Sequence, residues 1–195
     1  MQIDLDLPGF EDMNNGEPTG IALPYIVTIN KSDAKVLHVN FKDNKCLIHG
    51  KGISGYKYKK NITIDAKNSG TLGRLILGLL INTPYPIKII GDQSLSKRDF
   101  NRVAFPLSKF GAKFELNKNH GLPLKIFGTK QSNPIKYFEK KGSAQCKSSV
   151  IFAAMRTEGK TIIKAKKSRN HTELLCKYLK LPIKLQRKKN LDLIE

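Results

Sequence analysis

The chain has 195 residues, with 35 Lys and Arg against 16 Asp and Glu, a net charge of +19 at pH 7 and a hydrophobic fraction of 39%. This length and composition permit one or two domains with a buried core and exclude a wholly disordered chain. Apolar runs stay short of the roughly 18 residues that a membrane span needs, and the acidic start is unlike a leader, so we expect a cytoplasmic protein. Three widely spaced cysteines match neither a disulfide framework nor a zinc site: Cys46, Cys146 and Cys176.

The charge is unevenly distributed along the chain. The segment 1–30 carries several acidic side chains and no basic one, and Pro, Gly and Asn recur in it, so we expect 1–32 to be an irregular acidic segment. The remainder is strongly basic, which makes a basic nucleic-acid-binding module one alternative. Only a minority of the 35 basic residues are Arg, and the lysines are scattered, which favours a solvated lysine-rich surface.

The first half of the chain predicts strands followed by alternating helices and strands. Short alternating runs at 36–41 and 46–49 predict two strands. Apolar residues at helical spacing from Leu72 to Leu80 predict an amphipathic helix, capped by Asn68 or Ser69. The pattern then predicts a buried strand at 87–90, a loop at 91–97, a helix from Phe100 to Phe110, and strands at 112–116 and 122–127.

The same order of elements recurs in the second half. The pattern predicts a helix from 143 to about 155, a strand at 161–165, a loop at 166–169, a helix whose start at Asn170–Glu173 resembles a capping box, and a strand at 183–186. Ser143 follows Ser69 at almost the same interval as Arg169 follows Arg98. We therefore predict a duplicated α/β unit.

Each predicted unit combines a helix start rich in small polar residues with an arginine after the following strand. The first has Asn68–Thr71 and Arg98, and the second has Ser143–Gln145 and Arg169. A helix N-terminus offers unpaired N–H groups and partial positive charge, and arginine binds a carboxylate or phosphate through two parallel hydrogen bonds. Because the combination occurs twice, we favour anion binding over ordinary caps and surface charges.

Three weaker features have simpler interpretations. Residues 50–55 match G-x-G-x-x-G, but the alternating residues 56–65 follow where a dinucleotide site would open a helix, so a turn between strands is favoured. Cys146 has no base near it in the sequence pattern, which favours a buried helix thiol over a nucleophile. His171 stands at a predicted helix start and is placed to meet a ligand.

Four segments carry motifs in a specific order and spacing: Lys67–Arg74 (KNSGTLGR), Gly91–Arg98 (GDQSLSKR), Gly142–Ser148 (GSAQCKS) and Ser168–Glu173 (SRNHTE). Together they resemble the successive signatures of the 5-enolpyruvylshikimate-3-phosphate (EPSP) synthase family, and the likeness runs from about Lys45 to the end of the chain. The family's early Lys-Ser-Ile-Ser-x-Arg segment has no counterpart, because Lys31-Ser32 is not followed by matching residues.

The resemblance implies a 3-phosphoshikimate 1-carboxyvinyltransferase of chorismate and aromatic amino acid biosynthesis. Such an enzyme moves the enolpyruvyl group of phosphoenolpyruvate to the 5-hydroxyl of shikimate 3-phosphate and releases phosphate, without a metal or organic cofactor. By motif, the residues that would bind phosphoenolpyruvate are Asn68, Gly70, Thr71, Arg98 and Gln145. Those that would bind shikimate 3-phosphate are Ser143, Ala144, Gln145, Ser168 and Arg169.

The family's fold, an inside-out α/β barrel, builds each domain from three βαβαββ units, and the resemblance implies about two of the three units of one domain. Residues 33–195 would form this partial domain, with unit one at about 45–135 and unit two at about 136–195. The family's second domain supplies its acid and base residues, so no catalytic residue is identifiable here. We expect a monomer that is inactive without that domain and has neither a membrane nor a nucleic-acid partner.

The sister family that transfers enolpyruvate to UDP-N-acetylglucosamine is the other enzymatic alternative. Its loop cysteine has no counterpart here, since no Cys lies between Gly91 and Arg98. The residues at 94–98 and the Ser-Ala-Gln at 143–145 favour the shikimate family.

Overall fold

A pair of short strands precedes the main body of the fold. In the computed structural model, which describes residues 39–42, 45–48 and 62–195, β1 (Val39–Lys42) pairs antiparallel with β2 (Lys45–Ile48). The chain divides into two compact units, residues 1–59 and 60–195, and this pair belongs to the first. The strands predicted at 36–41 and 46–49 are confirmed over 39–41 and 46–48. The remainder of both runs, the acidic segment 1–32 and the glycine motif 50–55 lie outside the described residues.

The second compact unit begins with one βαβαββ repeat, called here the first repeat (residues 62–127). Its β3 runs parallel to β4, while β4 pairs antiparallel with β6 and β6 with β5, which gives the strand order β3-β4-β6-β5. The elements are β3 (Ile62–Asp65), α1 (Gly70–Leu79), β4 (Ile87–Ile90), the one-turn α2 (Gln93–Ser96), α3 (Asn101–Ser108), β5 (Lys113–Leu116) and β6 (Leu124–Phe127).

A second repeat (residues 136–194) has the same element order, except for the one-turn helix, and the same pairing directions. Its β7 runs parallel to β8, and β8, β10 and β9 then pair antiparallel in the order β7-β8-β10-β9. The elements are β7 (Lys136–Glu139), α4 (Ala144–Ala154), β8 (Ile162–Lys166), α5 (His171–Tyr178), β9 (Leu185–Arg187) and β10 (Leu191–Ile194). The predicted duplication and the α/β fold class are confirmed.

The first helices of the two repeats pack directly on each other. A Cβ atom built on Gly78 of α1 would lie 2.0 Å from the backbone oxygen of Ser149 of α4, so only glycine allows this approach. The Ser149 hydroxyl donates to the backbone oxygen of Arg74 at 2.9 Å. Most of α4 is buried, from Cys146 to Ala153 without interruption. As a result, α4 is enclosed nearly all round, and its first turn lies beside that of α1.

Two local predictions are wrong. The segment 91–97 is not a plain loop, because the Asp92 carboxylate accepts the backbone N–H of Leu95 at 2.7 Å and caps the one-turn helix α2. The start of α5 is not a capping box either, since Asn170 makes no side-chain cap hydrogen bond. Glu173, the expected partner in that box, is instead buried in an ion pair with Lys147.

Candidate functional site

The N-terminus of α1 lies against the guanidinium group of Arg98. The hydroxyl of Ser69 accepts the backbone N–H of Leu72 at 3.0 Å and caps the helix. Gly70, the first residue of the helix, is buried, and a Cβ atom there would lie 3.1 Å from Nη1 of Arg98. Glycine at this position therefore lets an arginine approach a helix end whose first N–H groups lack partners within the helix.

Asp92 ties the loop after β4 to the start of α1. Its backbone N–H donates to the carbonyl of Lys67 at 2.8 Å, and its carboxylate accepts from the side-chain amide of Asn68. The hydrogen bond from the backbone N–H of Leu95, then that from Asn68, and the nearby charge of Arg98 lower the pKa of Asp92. The ionised carboxylate thus holds the segment that leads to Arg98 against the first turn of α1.

Gln145, in the first turn of α4, bridges the two repeats. Its side-chain oxygen accepts a hydrogen bond from Nη1 of Arg74 at 2.6 Å, and its Nε2 donates to the hydroxyl of Thr71 at 3.0 Å. Because a guanidinium can only donate, Arg74 fixes which end of the amide carries the oxygen. The NH₂ group is consequently directed to Thr71, next to Gly70.

Three arginines of the first repeat, Arg74, Arg98 and Arg102, lie close enough for their charges to interact. Burial lowers the pKa of Arg74, and the charges of Arg98 and Arg102 lower it further. The Arg74 guanidinium carbon also lies 5.3 Å from the centroid of the Phe100 ring. None of the ion pairs that the structure shows within residues 62–195 involves these three arginines. Their charges create a positive potential suited to a multiply charged anion.

The start of α4 is anchored to the end of β7. Ser143 caps the helix by accepting the backbone N–H of Cys146 at 3.3 Å. The backbone N–H of Ser143 in turn donates to Oε2 of Glu139 at 2.8 Å, and Oε1 of the same carboxylate accepts the backbone N–H of Lys141 at 3.2 Å. Glu139 is 4% exposed. These hydrogen bonds determine where Ser143, Ala144 and Gln145 begin the helix.

The loop between β8 and α5 carries the remaining predicted residues. The Ser168 hydroxyl is buried and has no hydrogen-bond partner among the described residues, and Arg169 is exposed. A Cβ atom on Gly142 would lie 3.4 Å from the backbone oxygen of Lys167. This contact places the β8–α5 loop beside the turn that precedes Ser143, so the two predicted parts of the second anion site are neighbours.

The sequence of this chain matches one enzyme family over most of its length. Residues 34–194 match the profile of EPSP synthase (3-phosphoshikimate 1-carboxyvinyltransferase). The chain belongs to the EPSP synthase family. It is 39% identical over 172 residues to the 3-phosphoshikimate 1-carboxyvinyltransferase of Caldicellulosiruptor bescii, which covers 87% of this chain and 39% of that protein. The enzyme of the same name from Streptococcus agalactiae is 47% identical over 128 residues, 65% of this chain and 30% of the relative.

A solved structure agrees with the family assignment. EPSP synthase from Acinetobacter baumannii superposes with a TM-score of 0.69 and 29% identity over 81% of this chain and 36% of that one. The likeness to EPSP synthase drawn from four motifs is confirmed, and so is the fold class. The chain spans 39% or less of the length of these relatives. None of the helices in the described ranges combines the length and hydropathy needed to cross a bilayer.

Three residues that hold the site together were not predicted as substrate-binding residues: Arg74 and Asp92, which lie within two of the EPSP synthase motifs, and Glu139, which contacts a third. A signal for Arg74 was its position one helical turn after Thr71, which places both on one face of a helix. Glu139 and Asp65 occupy the same position, the last residue of equivalent strands, and each accepts the backbone N–H of the next residue but one. Asp92 stands near the start of one of the four motifs but was assigned to a loop.

Proposed function

We propose that this chain binds the two anionic substrates of a 3-phosphoshikimate 1-carboxyvinyltransferase, the activity after which its relatives are named. The observation that carries the proposal is the position of Gln145. This residue of the second repeat is hydrogen-bonded to Arg74 and Thr71 of the first, beside Gly70 and Arg98. A group at that junction can contact two substrates that must be held together for transfer.

Phosphoenolpyruvate is assigned to the start of α1. Its phosphate and carboxylate complement the N–H groups of the helix end at Gly70 and the guanidinium of Arg98, which can bind an oxyanion through two parallel hydrogen bonds. Thr71 and Asn68 border this position, and Gln145 presents its amide N–H from the other repeat. The charges of Arg74 and Arg102 add to the attraction.

Shikimate 3-phosphate is assigned to the start of α4 and the β8–α5 loop. Ser143, Ala144 and Gln145 supply a capped helix end, and Arg169 supplies an exposed guanidinium on the adjacent loop. The buried hydroxyl of Ser168 has no partner among the described residues, and such a group costs about 1–3 kcal/mol when left unpaired. A phosphate oxygen would satisfy it.

Three carboxylates near the proposed site already have partners. Asp92 accepts from Asn68 and Leu95, Glu139 accepts two backbone N–H groups, and Glu173 is paired with Lys147. Addition to the enolpyruvyl group and its elimination both require proton transfer from a positioned acid or base. We therefore propose that residues 62–195 bind both substrates and that turnover requires an acid or base supplied from outside them.

The test is a pair of binding titrations by calorimetry, one with phosphoenolpyruvate and one with shikimate 3-phosphate, together with an assay of phosphate release from the mixture. Arg98→Ala should weaken phosphoenolpyruvate binding by about tenfold or more, the effect of removing a charged hydrogen-bond donor. Lys113→Ala, which removes an exposed charge from β5, is the matched control and should bind as the parent chain does. Equal affinities in all three proteins would overturn the assignment, and phosphate release by residues 62–195 alone would overturn the proposed need for an acid or base from outside them.

A further inference from the structure

The two repeats differ in chemistry at the fourth residue of their first helix. In the first repeat, Gly73 of α1 meets the ring of Phe100, just before α3, and a Cβ atom on the glycine would lie 3.2 Å from that ring. The equivalent position of the second repeat, again the fourth in its helix, is Lys147 of α4, whose Nζ lies 2.6 Å from Oε1 of Glu173 on α5. Phe100, Lys147 and Glu173 are all fully buried. The same helix position is thus packed against an aromatic ring in one repeat and forms an ion pair in the other.

A second polar contact lies next to this ion pair. The hydroxyls of Ser148 and Thr172, each adjacent in sequence to one member of the pair, are hydrogen-bonded at 2.7 Å. We name these four residues, Lys147, Ser148, Thr172 and Glu173, the α4–α5 clamp. The clamp joins the N-terminal half of α4 to the first turn of α5. Residues assigned above to shikimate 3-phosphate lie at the start of α4 and in the loop that leads into α5.

Stability alone does not account for the clamp. Two charges that are removed from water lose hydration that their mutual attraction often fails to restore, so apolar residues of similar size are usually as stable or more stable. In the first repeat the residue equivalent to Lys147 is Gly73, which packs on the ring of Phe100, so the fold does not require a charge at this helix position. The hydroxyl pair is directional, because a hydrogen bond depends on angle as well as distance, and the ion pair adds a short contact between two particular charged atoms without meeting the angles of a hydrogen bond.

We infer that the α4–α5 clamp is a positioning device, which sets the start of α4 relative to the start of α5 and thereby aligns Ser143–Gln145 with Ser168 and Arg169. None of the four clamp residues needs to touch a ligand for this role. The inference rests on the proposed assignment of shikimate 3-phosphate to these two loops, whereas the geometric part of it holds for any ligand bound there.

The experiment compares two clamp variants of the full chain with one control. Lys147→Met with Glu173→Leu removes the ion pair and keeps the volume, and Ser148→Ala with Thr172→Val removes both hydroxyls together, which is close to neutral for stability. The second variant keeps the test decisive if the first fails to fold. The control removes a more exposed ion pair, between Lys160 of the second repeat and Glu195 directly after it, 2.7 Å apart, by Lys160→Met with Glu195→Leu.

Two readouts separate positioning from stability. The first is amide hydrogen exchange at the bonded N–H groups of the two helix starts, those of Ser143, Cys146 and Leu174. The second is the affinity for shikimate 3-phosphate. We expect both clamp variants to keep the urea midpoint of the parent chain, to exchange faster at these amides, and to bind shikimate 3-phosphate about tenfold more weakly, in the range of coupling between contacting residues. The control should change neither readout.

The outcomes distinguish this inference from the proposed function. Folded clamp variants with the exchange rates and affinity of the parent chain would overturn the inference. A second outcome is that the clamp variants exchange faster but the parent chain has no affinity for shikimate 3-phosphate. This result would support the positioning role and overturn the assignment of the substrate. Faster exchange and weaker binding that appear equally in the control would also overturn the inference, because any lost ion pair would then have the same effect.

Discussion

The guanidinium of Arg74 donates to the side-chain oxygen of Gln145 at 2.6 Å, between the first helices of the two repeats. The two first turns meet because Gly78 lets α1 and α4 approach closely. The hydrogen bond orients the Gln145 amide so that its NH₂ group reaches Thr71, beside the proposed position of phosphoenolpyruvate. We therefore propose that Arg74 belongs to the site as a positioning residue, although no substrate needs to touch it.

Two substitutions of Gln145 should separate the effect of its two hydrogen bonds from the effect of a negative charge at the same position. Gln145→Ala loses the two hydrogen bonds and should weaken the binding of each substrate modestly, by about 1 kcal/mol of binding free energy. Gln145→Glu forms a charge-assisted bond with Arg74 but brings a negative charge to an anion site, so it should bind more weakly than Gln145→Ala while unfolding at an equal or higher urea concentration. Titration of both variants with each substrate decides the order, and stronger binding by the glutamate variant would contradict it.

Gly70→Ala should lower the affinity for phosphoenolpyruvate and leave the stability of the fold unchanged. The added Cβ would lie 3.1 Å from Nη1 of Arg98, and that flexible side chain can move aside. We expect unchanged thermal stability and affinity for phosphoenolpyruvate lowered by about tenfold, because a positioned guanidinium contributes about that much. Affinity for shikimate 3-phosphate serves as the internal comparison and should change less.

Gly78→Ala, in contrast, should destabilise the fold. Its Cβ would lie 2.0 Å from the backbone oxygen of Ser149, which cannot rotate away, so α1 and α4 must separate. We expect a loss of about 3 kcal/mol in the free energy of unfolding, at the upper end of the usual cost of overpacking. Chemical denaturation measures it. Ser108→Ala at the exposed end of α3 is the control and should stay within about 0.5 kcal/mol of the parent chain.

The charge of Asp92 should make one contribution to stability depend on pH. Its pKa is lowered in the folded chain, so the ionised form stabilises the fold at pH values above the ordinary aspartate pKa of 3.8, and this stabilisation is lost as the pH falls through the lowered folded value. Asp92→Asn retains a cap acceptor but not the charge. The urea midpoints of the two proteins should differ near neutral pH and converge in acid, whereas a difference that does not depend on pH would contradict the prediction.

Several features were predictable because their causes are local. Ser69 and Ser143 cap helices where small polar residues precede apolar residues at helical spacing. The strand β10 was missed because Asp192, at 2% exposure, shares the buried face with Ile194 and breaks the expected alternation. The burial of Lys147 was not predicted either, because a charged side chain gives no indication that this part of α4 is buried.

The amino-acid sequence by itself determined the starts of α1 and α4, the repeated order of elements and the family motifs, because caps, spacing and motif order depend on residues close together in the chain. Only the tertiary structure decided which of these segments meet. The contact of Gln145 with Arg74 follows from the packing of α1 on α4, and the pairing of Lys147 with Glu173 follows from the burial of two helix starts together. Such contacts arise from the packing of distant segments, which local spacing does not determine.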